Sequence, residues 1–217
     1  MVVAIDGPAG TGKSTVSKRV AAETDFFYLN SGRFCRAITW KALDQGKGVE
    51  NHQVLIATAA DISITVEDDQ FLVDGTPRDE ELHTPKVDSA VATVSSIPEI
   101  RIAVNNRLKR IAGERNIVVE GRDMSTVVFP DAEVKIYLDA DPDVRARRRL
   151  EQQGSGNFEE IRESISQRDE IDRTKETGRL QRTKDAIYLN TTDLTIEQVC
   201  EKVIDIIHEK NQHGRSS

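Results

Sequence analysis

The stretch that decides the fold reads Gly7-Pro8-Ala9-Gly10-Thr11-Gly12-Lys13-Ser14. It fits the pattern G-x-x-x-x-G-K-[ST] of a phosphate-binding loop, the P-loop. The apolar run at residues 2–5 comes directly before it and shows no polar alternation, as expected of a strand buried on both faces. Val16 and Val20 follow at helical spacing. The motif therefore lies between a strand and a helix, which is the setting that a P-loop requires.

The residues of this loop suit the phosphates of a nucleoside triphosphate. Glycine lets the backbone approach a phosphate closely, and the N–H groups of the loop and of the helix N-terminus then face the anion. We expect Lys13 to reach the β- and γ-phosphates and the Ser14 hydroxyl to bind Mg²⁺. The predicted nucleotide-binding residues are Gly7, Pro8, Ala9, Gly10, Thr11, Gly12, Lys13, Ser14 and Thr15.

The whole chain of 217 residues indicates one medium domain, or a core with insertions. Its net charge of -7 argues against nucleic acid or an anionic membrane as the main partner. The two cysteines, Cys35 and Cys200, lack metal-type spacing and indicate a reduced, cytoplasmic protein. Neither a signal peptide nor an apolar run long enough to span a bilayer is recognisable. We also expect a monomer.

Further strands are predicted at residues 26–29, 116–120, 134–138 and 186–189, and they alternate with helical patterns. This order predicts an α/β fold of the three-layer P-loop type, with five parallel strands. Polar alternation at residues 62–66 and a second short run at 71–73 predict an antiparallel hairpin with a turn at 67–70. We therefore assign residues 1–32 and 92–217 to the core, 33–91 to an inserted subdomain, and about 150–160 to a lid.

Helical patterns are predicted at residues 34–43, around 54–60, from Pro98 to a stop at Gly113, and at 195–207. Asp141-Pro142 predicts the start of another helix, and Asn157 that of the next. Residues 30–33 are interpreted as a turn, and the tail after His208 as frayed. Ligands of such a sheet bind beyond the carboxyl ends of its strands.

Three classes of P-loop protein compete on the residues alone. A GTPase switch would need Asn-Lys-x-Asp, which the sequence lacks, and a motor or helicase normally needs a longer chain. A small-molecule kinase needs an acceptor pocket and an arginine-rich lid that stabilises charge and excludes water. The flexible loop at residues 152–157 is flanked by Arg147, Arg148, Arg149, Arg168 and Arg173.

These arginines have a plainer interpretation, a solvated charged helix face. For Arg145 and Arg147 both interpretations stay open. For Arg168 and Arg173, which neighbour Asp169 and Asp172, a functional role is favoured. We therefore predict that Lys13, Arg168 and Arg173 act in phosphoryl transfer.

Several further stretches resemble the bacterial cytidylate kinase family over nearly the full length. Outside the P-loop they are Leu29-Asn30-Ser31-Gly32, Arg36, Ile97-Pro98-Glu99-Ile100-Arg101, Glu120-Gly121-Arg122-Asp123-Met124, residues 126–132 and Arg168-Asp169-x-x-Asp172-Arg173. The resemblance implies transfer of the ATP γ-phosphate to CMP or dCMP with Mg²⁺, and an insert that binds the monophosphate. By matching positions it implies an acceptor-binding set of Ser31, Arg36, Arg101, Arg122, Asp123, Arg168 and Asp172.

The chemistry of these residue types agrees with the roles that the resemblance implies. Guanidinium groups such as those of Arg36 and Arg101 pair bidentately with phosphate. Asp123 can accept a hydrogen bond from the exocyclic amine of cytosine, where uracil would present a second acceptor. A salt bridge between Asp123 and Arg122 is the plainer alternative. Kinases for UMP or another small acceptor, and a non-catalytic ATP-binding regulator, stay open as rival functions.

The chain departs from the family pattern at several positions. Asn30 stands where an aspartate is usual, Cys35 where a tyrosine is, Ala92 where a serine is, and Lys175 where an arginine is expected. His83 replaces an arginine and Ser125 a glycine. These departures bear on base selectivity and turnover, and leave the phosphate-binding residues intact.

Overall fold

The computed structural model of the chain describes residues 1–67 and 70–214. The central part of the turn predicted at residues 67–70 lies outside the described residues. The strands are β1 (Val2–Asp6), β2 (Phe27–Asn30), β3 (Ile64–Glu67), β4 (Gln70–Val73), β5 (Thr76–Pro77), β6 (Ile117–Gly121), β7 (Val134–Asp139) and β8 (Ile187–Asn190).

The large sheet has five parallel strands in the order β2-β6-β1-β7-β8. β1 lies at its centre and pairs in register with β6, Val2 opposite Ile117, and with β7, Val3 opposite Val134. β6 is buried along its whole length, whereas the edge strand β8 exposes three of its four residues. The predicted α/β class with a five-stranded parallel sheet is confirmed.

The helices lie largely where the apolar periodicity places them. They are α1 (Lys13–Thr24), α2 (Ser31–Asp44), α3 (His52–Asp61), α4 (Pro85–Val94), α5 (Pro98–Ala112), α6 (Pro142–Gln153), α7 (Phe158–Thr174) and α8 (Ile196–Gly214). The predicted caps are confirmed: Asp141 accepts from the amide of Asp143, and Asn157 accepts from the amide of Glu159. None of the helices among the described residues is long and apolar enough to cross a bilayer.

The chain divides into two compact units. The larger one contains Met1–Leu29, Glu114–Thr174 and the described residues from Arg179 onward. Its core is formed by apolar residues of the sheet with α1 and α8, among them Ile5, Val20, Ile136 and Val203, which are fully buried. The P-loop, between β1 and α1, belongs to this unit.

The smaller unit contains Asn30–Gly113 and Lys175–Gly178. Its antiparallel sheet has the order β3-β4-β5, and Ile64 lies opposite Val73. The ring of Phe34 in α2 packs edge-on against Phe71 in β4, with centroids 5.1 Å apart. The predicted strands at residues 62–66 and 71–73 are confirmed, with small shifts at their ends. The domain boundaries predicted at residues 32–33 and 91–92 stay a prediction.

Two local interpretations are wrong. Residues 31–33 are the first turn of α2 and not a loop, because the Asn30 side chain accepts a hydrogen bond from the Arg33 amide and caps the helix. The C-terminal helix continues beyond His208 to Gly214. Four elements were not foreseen: β5, a 3-10 turn at Glu81–His83, α4, and a π-helical turn at Met124–Val128.

Candidate active site

The P-loop joins the carboxyl end of β1 to α1, and its three glycines all have positive φ angles, which other residues resist. Gly7 has φ 153°, and a Cβ there would lie 2.1 Å from the Leu138 carbonyl oxygen of β7. Gly10 has φ 78°, and its Cβ would lie 3.0 Å from the Arg145 carbonyl oxygen in α6. Glycine is therefore required at Gly7 by close backbone contact and at Gly10 by its left-handed conformation.

Lys13, the predicted catalytic lysine, lies inside this loop. Its Nζ donates to the Pro8 carbonyl oxygen at 2.6 Å and to Thr11 Oγ1 at 3.3 Å. Burial lowers the pKa of Lys13 well below its ordinary value, and the positive charges of Arg122 and Arg168 lower it further. The negative charges of Glu120 and Asp172 act on it in the opposite direction. Lys13 therefore lies among positive and negative side chains, and the added negative charge of a polyphosphate would raise its pKa.

Glu120 is a residue of this region to which the sequence analysis gave no role. Its carboxylate lies beside the P-loop, and the Ser14 hydroxyl donates to its Oε2 at 3.1 Å. The Tyr28 hydroxyl donates to its Oε1 at 2.5 Å. Burial raises the pKa of Glu120, while the charge of Lys13 opposes that rise. Its signal in the sequence was a carboxylate near the end of a buried apolar strand, directly before Gly121-Arg122.

Asp123 lies just beyond β6 and is fully buried. Its carbonyl oxygen accepts from the amides of Val127 and Val128, at 2.9 and 3.2 Å, and begins the π-helical turn. The N-terminus of this turn is held by Asp6, the last residue of β1. The carboxylate of Asp6 accepts from the Met124 amide, the Ser125 amide and the Ser125 hydroxyl, at 2.9, 2.8 and 2.6 Å.

Arg122 pairs with Asp172 of α7. Its Nε donates to Asp172 Oδ2 at 2.6 Å, and the charge and hydrogen bond of Asp172 raise the pKa of Arg122 against the effect of burial. The structure thus joins two members of the predicted acceptor set by an ion pair. Arg168, on the same helix, is half-buried, and Arg173 is exposed.

The remaining predicted acceptor residues belong to the smaller unit. Arg36 in α2 donates to the Leu82 carbonyl oxygen at 2.8 Å and to Asp88 Oδ1 at 2.5 Å. Arg101 in α5 is buried, and its Nη1 lies 3.8 Å from the Cys35 sulfur. Ser31, at the start of α2, is buried as well. Arg36 and Arg101 are thus guanidinium groups held by polar partners in the interior of this unit.

The P-loop region offers side-chain oxygen atoms that could hold a metal. Among residues 1–67 and 70–214, no three His, Cys, Asp or Glu side chains are grouped so that they could hold an ion. Mg²⁺, however, uses one or two protein oxygens, water and substrate phosphates, and seldom a cage of protein ligands. The hydroxyl of Ser14 and the carboxylate of Glu120 are oxygens of that kind and fit this ion.

A P-loop between a central parallel strand and its helix, with a buried lysine and an adjacent carboxylate, is the arrangement of a P-loop nucleotide-binding protein. The family model for cytidylate kinase matches residues 3–209. The chain is 39% identical over 216 residues to a cytidylate kinase of Caldanaerobacter subterraneus subsp. tengcongensis, covering 98% of this chain and 96% of that protein. It is 39% identical to a cytidylate kinase of Rhodopirellula baltica, covering 96% and 93%.

This chain belongs to the cytidylate kinase family and is therefore a nucleoside monophosphate kinase. Among solved structures, a gluconokinase from Sinorhizobium meliloti is similar in fold, with a TM-score of 0.51 and 13% identity. That likeness covers 100% of this chain and 97% of the other.

Proposed function

We propose that this protein transfers the γ-phosphate of ATP to CMP and to dCMP, giving the diphosphates. The observation that carries the proposal is the match of residues 3–209 to the cytidylate kinase family, with relatives of that name at 39% identity. The P-loop geometry agrees with it, since Lys13 lies inside the loop, where its charge would stabilise a bound triphosphate.

The donor would be bound by residues 7–15, with Mg²⁺ held by the Ser14 hydroxyl and the Glu120 carboxylate. When bound, this ion neutralises phosphate charge and orients the transferring group. Lys13 stabilises the developing charge on the phosphoryl oxygens, and Arg168 and Arg173 of α7 add positive charge. The acceptor phosphate is already anionic at neutral pH, so no side chain needs to act as a general base.

The acceptor would be bound by Ser31, Arg36, Arg101, Arg122, Asp123, Arg168 and Asp172. Arg36 and Arg101 suit the acceptor phosphate because each presents a guanidinium fork. Asp123 suits the exocyclic amine of cytosine. Because Asp123 is buried, a base that offers it no donor would bind with a large loss of free energy. A uracil carbonyl facing the same carboxylate would leave two acceptors opposed.

An ADP-release assay over CMP, dCMP, UMP, AMP and shikimate tests this function. We expect turnover with CMP and dCMP to exceed turnover with the other three. Highest turnover with UMP would refute the proposed base selection, and ATP binding without turnover on any acceptor would refute the kinase function.

The role of Asp123 is tested by Asp123→Ala. We expect a loss of turnover with CMP of about 100-fold, from an unpaired donor on the base, and little change in ATP affinity. Asp131→Ala is the matched control, since Asp131 is an exposed aspartate shortly after the same strand. Equal losses for CMP and ATP in Asp123→Ala would contradict base recognition.

We further propose that the protein acts as a cytoplasmic monomer on these small molecules and not on nucleic acid or membranes. The net charge of -7 supports the exclusion of nucleic acid and anionic membranes, because it disfavours polyanionic partners. Sedimentation of the purified protein would test the monomeric state.

A further inference from the structure

The tip of the P-loop is held by an ion pair between the two helices that follow β7. Arg145 of α6 and Asp169 of α7 lie with Nη1 and Oδ2 2.5 Å apart, and their side chains are only 5% and 3% exposed. A buried pair of this kind is well ordered only if its remaining polar atoms have partners. Those partners lie mostly in the P-loop.

Both polar groups of one residue of the loop contact this pair. The Ala9 amide donates to Asp169 Oδ1 at 3.3 Å, and the Ala9 carbonyl oxygen accepts from Arg145 Nη1 at 3.0 Å. Arg145 Nε donates in addition to the Ala140 carbonyl oxygen, just beyond β7, at 3.1 Å. The two side chains therefore fix the orientation of the peptide groups on either side of Ala9, relative to the end of β7.

Arg148, one turn further along α6, makes a second connection to the loop. Its guanidinium donates to Thr191 Oγ1 at 3.0 Å and to the Thr191 carbonyl oxygen at 2.7 Å. The Thr191 hydroxyl in turn lies 3.4 Å from the Thr11 carbonyl oxygen of the P-loop. Arg147, between the two, is exposed. The arginines of α6 thus differ in kind, and the solvated-face interpretation fits Arg147 but not Arg145.

We propose that Arg145 and Asp169 are positioning residues for the donor nucleotide: together they hold the Ala9 peptide groups in the orientation that binds the polyphosphate. The proposal rests on the proposed function, in which this loop binds ATP. Asp169 alone would be a poor neighbour for a polyphosphate, since its carboxylate repels the anion. Arg145 neutralises that charge, so the pair orients the loop without adding negative charge to it.

Because the two charges balance, removing one charge or both should change ATP binding in different ways, which a purely structural role would not predict. Arg145→Met leaves a buried carboxylate at the loop, and we expect the dissociation constant for ATP to rise roughly tenfold or more. The double variant Arg145→Met/Asp169→Asn removes the charge as well, so it should bind ATP several-fold better than Arg145→Met alone. Loss of packing would not predict that rescue.

The experiment measures the dissociation constant for ATP by calorimetry without acceptor, and the KM values for ATP and for CMP by turnover. All variants are compared at a temperature at which each is fully folded. Arg162→Met is the control, because Arg162 Nε donates to Asp143 in an exposed ion pair between the same two helices. We expect that variant to bind ATP as the wild type does. The KM for CMP should change less than twofold in every variant.

If Arg145→Met does not fold, Arg145→Lys gives the decisive result. A lysine keeps the charge but cannot reach Ala9, Ala140 and Asp169 at once, so ATP should bind several-fold more weakly. Wild-type ATP affinity in both Arg145 variants, equal shifts for ATP and CMP, or a double variant no better than the single one would overturn the proposal. Failure of the wild-type protein to bind ATP would instead refute the proposed function.

Discussion

The hydroxyl of Ser125 should matter to stability out of proportion to its size, and Ser125→Ala tests this. The hydroxyl donates at 2.6 Å to Asp6, a carboxylate with no exposed surface. A hydrogen bond to a buried charged group contributes about 1.5–3 kcal/mol. Alanine removes this donor and leaves the backbone amide of residue 125 in place. We therefore expect unfolding by urea at a concentration roughly 1 M lower than for the wild type.

The loss should also depend on pH, in a direction set by Asp6. Burial raises the pKa of Asp6, and the hydrogen bond from Ser125 opposes that rise. Without the hydroxyl, the pKa of Asp6 in the folded protein lies higher still, while in the unfolded chain it is unchanged. The destabilisation is therefore full above the folded-state pKa of the variant. It shrinks as the pH falls through the folded-state pKa values of variant and wild type.

Ser17→Ala is the matched control for this prediction. Ser17 is also fully buried, but its hydroxyl has no hydrogen-bond partner among the described residues. Replacing it should leave stability unchanged or raise it by up to about 1 kcal/mol, because an unsatisfied polar group is removed from a helix. The reasoning is refuted if both variants unfold at the same urea concentration, or if the Ser125→Ala deficit does not shrink at any pH as the solution is made more acidic.

Three further variants probe the donor site. Lys13→Ala should lower turnover about 100-fold or more, because the charge that stabilises the phosphoryl oxygens is lost. Lys18 is an exposed lysine of the same helix, so the control Lys18→Ala should keep its activity. Normal turnover of Lys13→Ala would contradict the P-loop assignment. Gly7→Ala should prevent folding, since its Cβ would collide with the Leu138 carbonyl oxygen at 2.1 Å. Gly46 has φ 66° and open space around it, so the control Gly46→Ala should lower the free energy of unfolding by only about 1 kcal/mol. Similar circular dichroism melting curves for the two variants would contradict the predicted collision. Glu120→Gln should raise the Mg²⁺ concentration for half-maximal activity severalfold and leave the KM for CMP unchanged. Glu114 is an exposed carboxylate before β6, and Glu114→Gln is the control. If Glu120→Gln needs no more Mg²⁺ than the wild type, Glu120 does not bind the metal.

The elements foreseen from the sequence are those with a local signal. β1, the P-loop and α1 follow from one apolar run, one motif and a helical spacing. The helix α4 was missed although Thr84 caps it and Pro85 occupies its first turn, so that its signal was present in the sequence. β5 has only two residues, too few for any periodicity to show.

The contacts that shape the site depend on residues far apart in the chain. The π-helical turn begins where Met124 donates to Asp6, 118 residues earlier, and no window of local sequence contains both. The pair of Arg145 and Asp169 spans 24 residues and two helices. Their charges alone were compatible with an exposed helix face, so the buried pair could not be distinguished from it. The roles of the acceptor residues stay predictions.

The central position of β1 has a consequence for how the protein is made. Both strands that flank β1 are encoded much later, and the bond from the Met1 amine to Asn116, just before β6, spans 115 residues. At about 5–20 residues per second, a ribosome needs on the order of 10 s to supply that partner. During this time the apolar segment Val2–Asp6 has no native neighbour to pair with. Nascent chains of this protein should therefore need protection from aggregation until β6 and β7 emerge.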